Sequence, residues 1–256
     1  MLLTIDIGNS QIVWGVFDQQ TLISSWRLAT DSSKTADEYG SLFLSLLNTR
    51  QIPTKDLIGT IISSVVPPVT HIFEQVVETF FHHTPLIVTS NYPFGLTIDY
   101  PVPEEIGTDR LVNAAGAYAQ YHTGLVIVDF GTATSFCTVT KSGGYLGGAI
   151  APGLKSSANS LHLLTAMLPS VDLVKPNQVI GIDTVSSMQS GIVFGYTGLV
   201  DELVTRIQDE VGQSLLVVAT GGLASVITPI SRTIQEIRPF LTLEGLELLF
   251  RRKRSL

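Results

Sequence analysis

The sequence predicts an α/β fold built from two similar domains, and three observations carry that prediction. The chain opens on three short apolar runs, residues 2–7, 11–17 and 22–28, with Gly8-Asn9 and the stretch 18–20 as the punctuation of a β-meander. The same order returns about 120 residues later: a run at 125–128, the turn Asp129-Phe130-Gly131-Thr132, a run at 135–140, then a third at 145–150 after Ser142-Gly143-Gly144. Between and after these meanders, helical and strand periodicities alternate, which is the pattern of a sheet flanked by helices.

Taken in order, Tyr39, Leu42, Phe43, Leu46 and Leu47 recur at helical spacing within 35–48, and 58–66 reads as a buried strand. A helix over 69–81 and a short strand at 86–89 follow. Residues 91–105 carry Pro93, Pro101 and Pro103 and read as a loop. A helix is expected at 109–121. After the second meander come helices at 156–164 and 186–211, a strand at 215–219, the Gly221-Gly222 turn and a last helix at 243–252. The expected division is 1–117 and 118–256.

With 256 residues, 45% of them hydrophobic and only 14% charged, the chain can fill the cores of two half-size domains. A net charge of −7 argues against a nucleic-acid partner, which needs clustered cations. The basic run Arg251-Arg252-Lys253-Arg254 reads as a solvated tail after the last helix. One cysteine, Cys137, excludes an internal disulfide, and no Cys/His spacing suggests zinc. The first residues lack the basic flank of a signal peptide, and no apolar run approaches the roughly 20 residues of a membrane helix. A cytoplasmic protein with no membrane partner is expected. The five histidines show no ligand spacing, and Trp14 and Trp26 read as core aromatics.

The turns carry the chemistry. Asp6-Ile7-Gly8-Asn9-Ser10 and Asp129-Phe130-Gly131-Thr132-Ala133 each put a carboxylate at a strand end, a Gly two residues on and hydrogen-bonding residues in the turn. A single Asp-x-Gly turn is an ordinary hairpin. Two copies, with Ala219-Thr220-Gly221-Gly222 as a third Gly-rich turn, resemble the grip of actin-like ATPases and sugar kinases on a nucleotide. Gly8 and Gly131 let backbone N–H groups approach a phosphate, while Asn9, Ser10 and Thr132 add donors. Asp6 and Asp129 cannot stand bare beside polyphosphate, since like charges about 4 Å apart cost on the order of 4 kcal/mol at an effective dielectric of 20. A cation such as Mg²⁺ must intervene. No P-loop, no Gly-x-Gly-x-x-Gly after the first strand and no nucleophile elbow competes. In Gly107-Thr108-Asp109-Arg110, Asp109 is the candidate base for an alcohol acceptor, although Thr-Asp is also an ordinary helix start.

These four motifs, counting Gly148-Ala149-Ile150-Ala151-Pro152-Gly153, resemble those of the type III pantothenate kinases over essentially the full chain. The resemblance implies a duplicated actin-like (ribonuclease H-like) ATPase fold of two domains with a nucleotide cleft between them. It implies transfer of phosphate from ATP to pantothenate, the first step of coenzyme A biosynthesis, with Asp109 as catalytic base. ATP contacts would come from Asp6, Ile7, Gly8, Asn9, Ser10, Gln11, Ile12, Val13, Gly131 and Thr132. Pantothenate would meet Tyr100, Gly107, Thr108, Asp109, Arg110 and Thr184. Asp6 would hold Mg²⁺, directly or through water, and Asp129 a monovalent cation, K⁺ or NH₄⁺. Family members are homodimers. Ser10 stands where the family often has Thr, which keeps the hydroxyl. Another small-molecule kinase of the same superfold and a non-catalytic nucleotide-binding regulator are the alternatives.

Overall fold

The computed structural model describes residues 1–254. The chain forms two compact units. The first comprises Met1–Gly95, Pro101–Gly116 and the C-terminal helix, and the second Leu96–Tyr100 and Ala117–Phe240.

In the first unit β1 (Leu2–Ile7), β2 (Gln11–Asp18) and β3 (Thr21–Ala29) make the expected meander; α1 (Ala36–Thr49), β4 (Gly59–Ser64), α2 (Pro67–Phe81) and β5 (Leu86–Ile87) complete it. The sheet order is β3-β2-β1-β4-β5, with β1 antiparallel to β2 and parallel to β4. Leu3, Ile5 and Ile7 face a core with Tyr39, Phe43 and Phe73 from the two helices. Trp14 belongs to this core, its ring stacked 3.9 Å from Phe43 and 4.2 Å from Trp26. Thr35 starts α1 through a capping box with Glu38, as the Thr-x-x-Glu spacing dictates.

The second unit repeats the plan. Its strands β7 (Leu125–Phe130), β8 (Ala133–Val139), β9 (Gly144–Pro152), β10 (Leu216–Thr220) and β11 (Glu236–Ile237) stand in the order β11-β10-β7-β8-β9, so β7 holds the place of β1. The extra strand β6 (Thr97–Ile98) pairs parallel with β9. Helices α4 (Leu154–Leu164) and α5 (Thr184–Val211) cover one face through Leu154, Met188, Ile192, Tyr196, Val200 and Val204. Cys137 is buried in β8, as its apolar setting predicts. Helix α3 (Thr108–Tyr121) begins in the first unit and ends in the second. Among the described residues no helix is long and apolar enough to cross a membrane.

Several features differ from the sequence reading. Residues 97–98 form β6 inside the expected loop, and β11 and the short α6 (Ala224–Ile227) were not expected at all. Each has two to four residues, too few for a periodicity to register. The terminal helix α7 (Leu241–Arg254) packs with the first unit, whereas a division at 117/118 would assign it to the second. Leu243 and Phe250 lie against Gly15 of β2 and Gly59 of β4, the uncovered face of that sheet. The basic run is the last turn of α7 and not a tail beyond it, while Arg251, Lys253 and Arg254 are exposed as expected. Arg252 donates to the Phe94 carbonyl at 3.0 Å, Lys253 sits 5.4 Å from the centre of the Tyr92 ring, and Arg251 pairs with the buried Glu247.

Asp201 on α5 is buried, and it anchors the loop that leads into β11. Its carboxylate accepts from Ser231 Oγ at 2.6 Å, Thr233 Oγ1 at 2.9 Å and the Arg232 and Thr233 backbone N–H groups at 3.1 and 3.3 Å. Burial pushes the carboxyl up, and these donors outweigh it, so it titrates below the ordinary range. The stabilisation is therefore present above the ordinary carboxylate pKa and is lost as pH falls through the depressed one. Asp201→Ala strands several buried donors and should cost about 1–3 kcal/mol, read as a fall in Tm of roughly 2–4 °C per kcal/mol. A melt unchanged at neutral pH would show that the loop does not depend on this carboxylate.

Candidate functional site

Asp6 and Asp129 occupy the same position in their units. Both are the fifth residue of a six-residue central strand whose other members are all buried. Asp6 pairs with Val13 on β2 and Ser63 on β4, and Asp129 with Ser135 on β8 and Thr220 on β10. Each carboxylate therefore emerges where the strand ends and the turn begins. The turns themselves are solvent-accessible: Asn9, Ser10, Gly131 and Thr132 are exposed. In the first, the Gly8 N–H donates to the Gln11 carbonyl at 3.0 Å. Within the stretch 6–13, Asn9, Ser10 and Gln11 are exposed, Asp6, Gly8 and Val13 are partly so, and Ile7 and Ile12 are buried.

The Gly107–Arg110 motif lies at the same sheet end as Asp6. Ser63, beside Asp6 in the β1–β4 ladder, is 3.0 Å through its Oγ from the Thr108 Oγ1, which donates to the Ser64 carbonyl at 3.3 Å. Since that donation uses the threonine proton, Ser63 is the donor between the two hydroxyls. The Val65 N–H donates to the Ile7 carbonyl at 3.0 Å, which closes the β4 end onto β1. Thr108 opens α3, and Asp109 and Arg110 sit in its first turn. The sequence reading missed Ser63 and Ser64, although a polar pair ending an apolar strand marks them.

Asp109 is half-buried, and its Oδ1 accepts from the Arg110 N–H at 2.8 Å. Burial raises its pKa above the ordinary 3.8; the Arg110 N–H and the Arg110 charge pull the other way and do not prevail. The result is a carboxylate that binds a proton more readily than an exposed one. Gly107 is a constraint on it: a Cβ there would stand 2.5 Å from Asp109 Oδ1. Only the absence of a side chain leaves the carboxylate its place.

In the second unit Gly221, at φ +90°, brings the backbone after β10 against Asp129; a Cβ would lie 2.5 Å from its Oδ1 and 2.7 Å from the Phe130 backbone. Tyr100 follows β6 and lays its ring edge over Gly147, whose φ of +103° and missing side chain make room 3.2 Å away. Thr184 is the exposed first residue of α5, which starts with a capping box between Asp183 and Ser186. Among the described residues no three His, Cys, Asp or Glu side chains gather as a metal cage.

Comparison with known proteins agrees with this arrangement. Residues 2–206 match the family model of type III pantothenate kinases. A type III pantothenate kinase of Pelobacter propionicus is 50% identical over 254 residues, spanning 99% of this chain and 100% of that one. Another, of Geobacter sulfurreducens, is 47% identical over 255 residues and all of both chains. Among solved structures, a Campylobacter jejuni protein provisionally assigned to the Baf family of transcriptional activators superposes with a TM-score of 0.60 at 16% identity, covering 99% of this chain and 100% of that one. A ROK family glucokinase from Streptomyces griseus, solved with glucose and AMPPNP, gives 0.52 at 13% identity over 98% and 99%. Those two likenesses establish the fold, the duplicated actin-like architecture of two β-meander sheets; the identity with the full-length relatives establishes more, for this chain belongs to the type III pantothenate kinase family.

Proposed function

We propose that the protein transfers the γ-phosphoryl group of ATP to the hydroxyl of pantothenate, giving 4′-phosphopantothenate and ADP, the first step of coenzyme A biosynthesis. The observation that carries this reading is the half-buried Asp109 carboxylate in the substrate motif, tied through Thr108 and Ser63 to the sheet end that holds Asp6. Asp109 accepts the proton of the attacking hydroxyl, and its raised pKa suits it to that task. The reading assigns pantothenate contacts to Gly107, Thr108 and Arg110, and carries Tyr100 and Thr184 over from the family resemblance. The turns at Gly8–Ser10 and Gly131–Thr132 offer N–H groups and hydroxyls to the phosphates, with Ile7 and the start of β2 as their base.

The donor sets fit two cations. Asp6 at an exposed turn, with no carboxylate cage around it, suits Mg²⁺, which takes one or two carboxylates and keeps water and phosphate oxygens as its other ligands. The monovalent ion, K⁺ or NH₄⁺, is assigned to Asp129 at the end of β7, as the family resemblance implies. When bound, these ions neutralise charge that builds on the transferring phosphoryl group. The protein's share is placement, and the reaction belongs in the cytoplasm, where ATP is available.

A homodimer is part of this reading. Leu163, Leu164, Met167, Ile180 and Ile182 are 78–91% exposed, all on one segment of the second unit between the end of α4 and the start of α5. Apolar exposure of that density marks an interface, and the segment leads directly into Thr184. A second copy of this chain is the partner that the reading assigns to it. Light scattering should give twice the 27.6 kDa chain mass, and Leu164→Glu should shift the protein toward monomer. A wild-type monomer at micromolar concentration removes the dimer from the proposal.

ADP release with ATP, Mg²⁺ and pantothenate, measured in K⁺ and in Na⁺, tests the function directly. Pantothenate-dependent release confined to K⁺ supports both the acceptor and the Asp129 cation; none in either salt ends the reading. In the same assay Asp109→Asn should lower kcat by about 10²–10⁴. The same variant should melt higher than wild type at neutral pH. A folded pKa above the unfolded one means that stability declines as pH rises from the unfolded to the folded value, and the amide escapes that loss. The advantage should shrink as pH is lowered toward 4. Near wild-type turnover would remove Asp109 from the base role.

A further inference from the structure

Both candidate phosphate turns are held from behind by a hydroxyl that belongs to none of the four sequence motifs' assigned contacts. Thr30, just past β3, donates through Oγ1 to the Gly8 carbonyl at 2.6 Å, and its N–H donates to the Ser10 carbonyl at 3.1 Å. Ser156, in the first turn of α4, donates through Oγ to the Thr132 carbonyl at 3.0 Å. The two units thus meet the same need with residues 22 and 24 positions from their targets, one in a loop and one in a helix.

The direction of these bonds is what matters. In a trans peptide the C=O and the following N–H point opposite ways. Fixing the Gly8 carbonyl toward Thr30 turns the Asn9 N–H away from Thr30, and fixing the Thr132 carbonyl toward Ser156 does the same for the Ala133 N–H. In the second turn Gly153 adds to the effect: a Cβ there would overlap the Thr132 carbonyl oxygen and stand 2.7 Å from that of Gly131, so both carbonyls face the start of α4. Gly153 has an ordinary φ of −65°, so close approach and not backbone strain requires the glycine. Behind it, the buried Tyr196 hydroxyl donates to the Pro152 carbonyl at 2.7 Å and lies 2.6 Å from Thr134 Oγ1, which locks the end of β9 to the start of β8.

We propose that Thr30 and Ser156 are positioning residues for ATP, each holding one phosphate turn with its carbonyls inward and its N–H groups toward the nucleotide. The proposal rests on the kinase reading of the two turns. Neither residue touches the phosphates; each acts by preventing a peptide flip that would present an oxygen to an anion.

Thr30→Val keeps the side-chain shape and the backbone N–H bond, and Ser156→Ala places a good helix former in the first turn of α4. Both should fold with a Tm close to wild type. Each should raise the KM for ATP about three- to tenfold, the range for losing one net hydrogen bond, and the double variant about tenfold to a hundredfold. The KM for pantothenate should stay within about twofold. A merely structural role would lower Tm and leave the KM for ATP unmoved, and that outcome overturns the proposal, as does an equal rise in both KM values. Wild-type turnover in the same plates separates the two levels of argument. If wild type releases no ADP with pantothenate, the functional reading has failed; if it does and both single variants keep its KM for ATP, only the positioning role has.

Discussion

Each sheet hangs on one strand. β1 and β7 pair antiparallel on one side and parallel on the other, and apolar residues crowd both of their faces, so a polar side chain can surface only at their C-terminal ends. Asp6 and Asp129 are placed there by that exclusion. The antiparallel partner must then return at once, which forces a tight turn beside each carboxylate, and the tight turn is what exposes peptide N–H groups. The phosphate-binding character proposed for these turns is a by-product of how a buried central strand has to end. Everything else at the site refines that ending: Gly221 makes room beside one carboxylate, and Ser63 links the other to the substrate motif.

The sheets were legible because their strands are long apolar runs cut by Gly and Asn, and because the pattern occurs twice. The helices α1, α2, α3 and α5 were legible from spacing, within two residues at most ends. What could not be read was whatever depends on contact between distant residues. β6 exists because Thr97 and Ile98 find the edge of β9, and α7 belongs to the first unit because Gly15 and Gly59 leave hollows for Leu243 and Phe250. The basic run is solvent-exposed as its charge implies, but its place in the last turn of α7 and the contacts of Arg252 and Lys253 with the loop at Tyr92–Gly95 depend on the folded chain.

At the site the division is similar. The motif residues were found by type and spacing, since Asp-x-Gly and Gly-Thr-Asp-Arg are contiguous. Thr30 and Ser156 carry no motif, and each meets its partner only after the chain has folded over more than twenty residues. Tyr100 and Thr184 entered by resemblance alone; the structure gives each a definite local setting, on Gly147 and at the head of α5, without which neither would draw notice.

Two aspartates show how environment separates chemistry from architecture in this fold. Asp109 and Asp201 are both withdrawn from solvent, and burial alone pushes both carboxyls up. Asp201 receives hydroxyl and backbone donors on both oxygens, so its charge is more stable inside than out, and it stays ionised at the expense of any reactivity. Asp109 has the backbone N–H groups of Arg110 and of its own residue and the Arg110 charge beside it, and burial prevails over them. A carboxylate whose donors do not offset its desolvation is a cost to the folded state, and in the proposed reaction the same balance favours taking a proton from the acceptor hydroxyl. Gly107 adds a steric condition, since a Cβ there would stand 2.5 Å from Oδ1. On this argument the Gly107–Arg110 motif depends as much on the side chain that Gly107 lacks as on the carboxylate it places beside it.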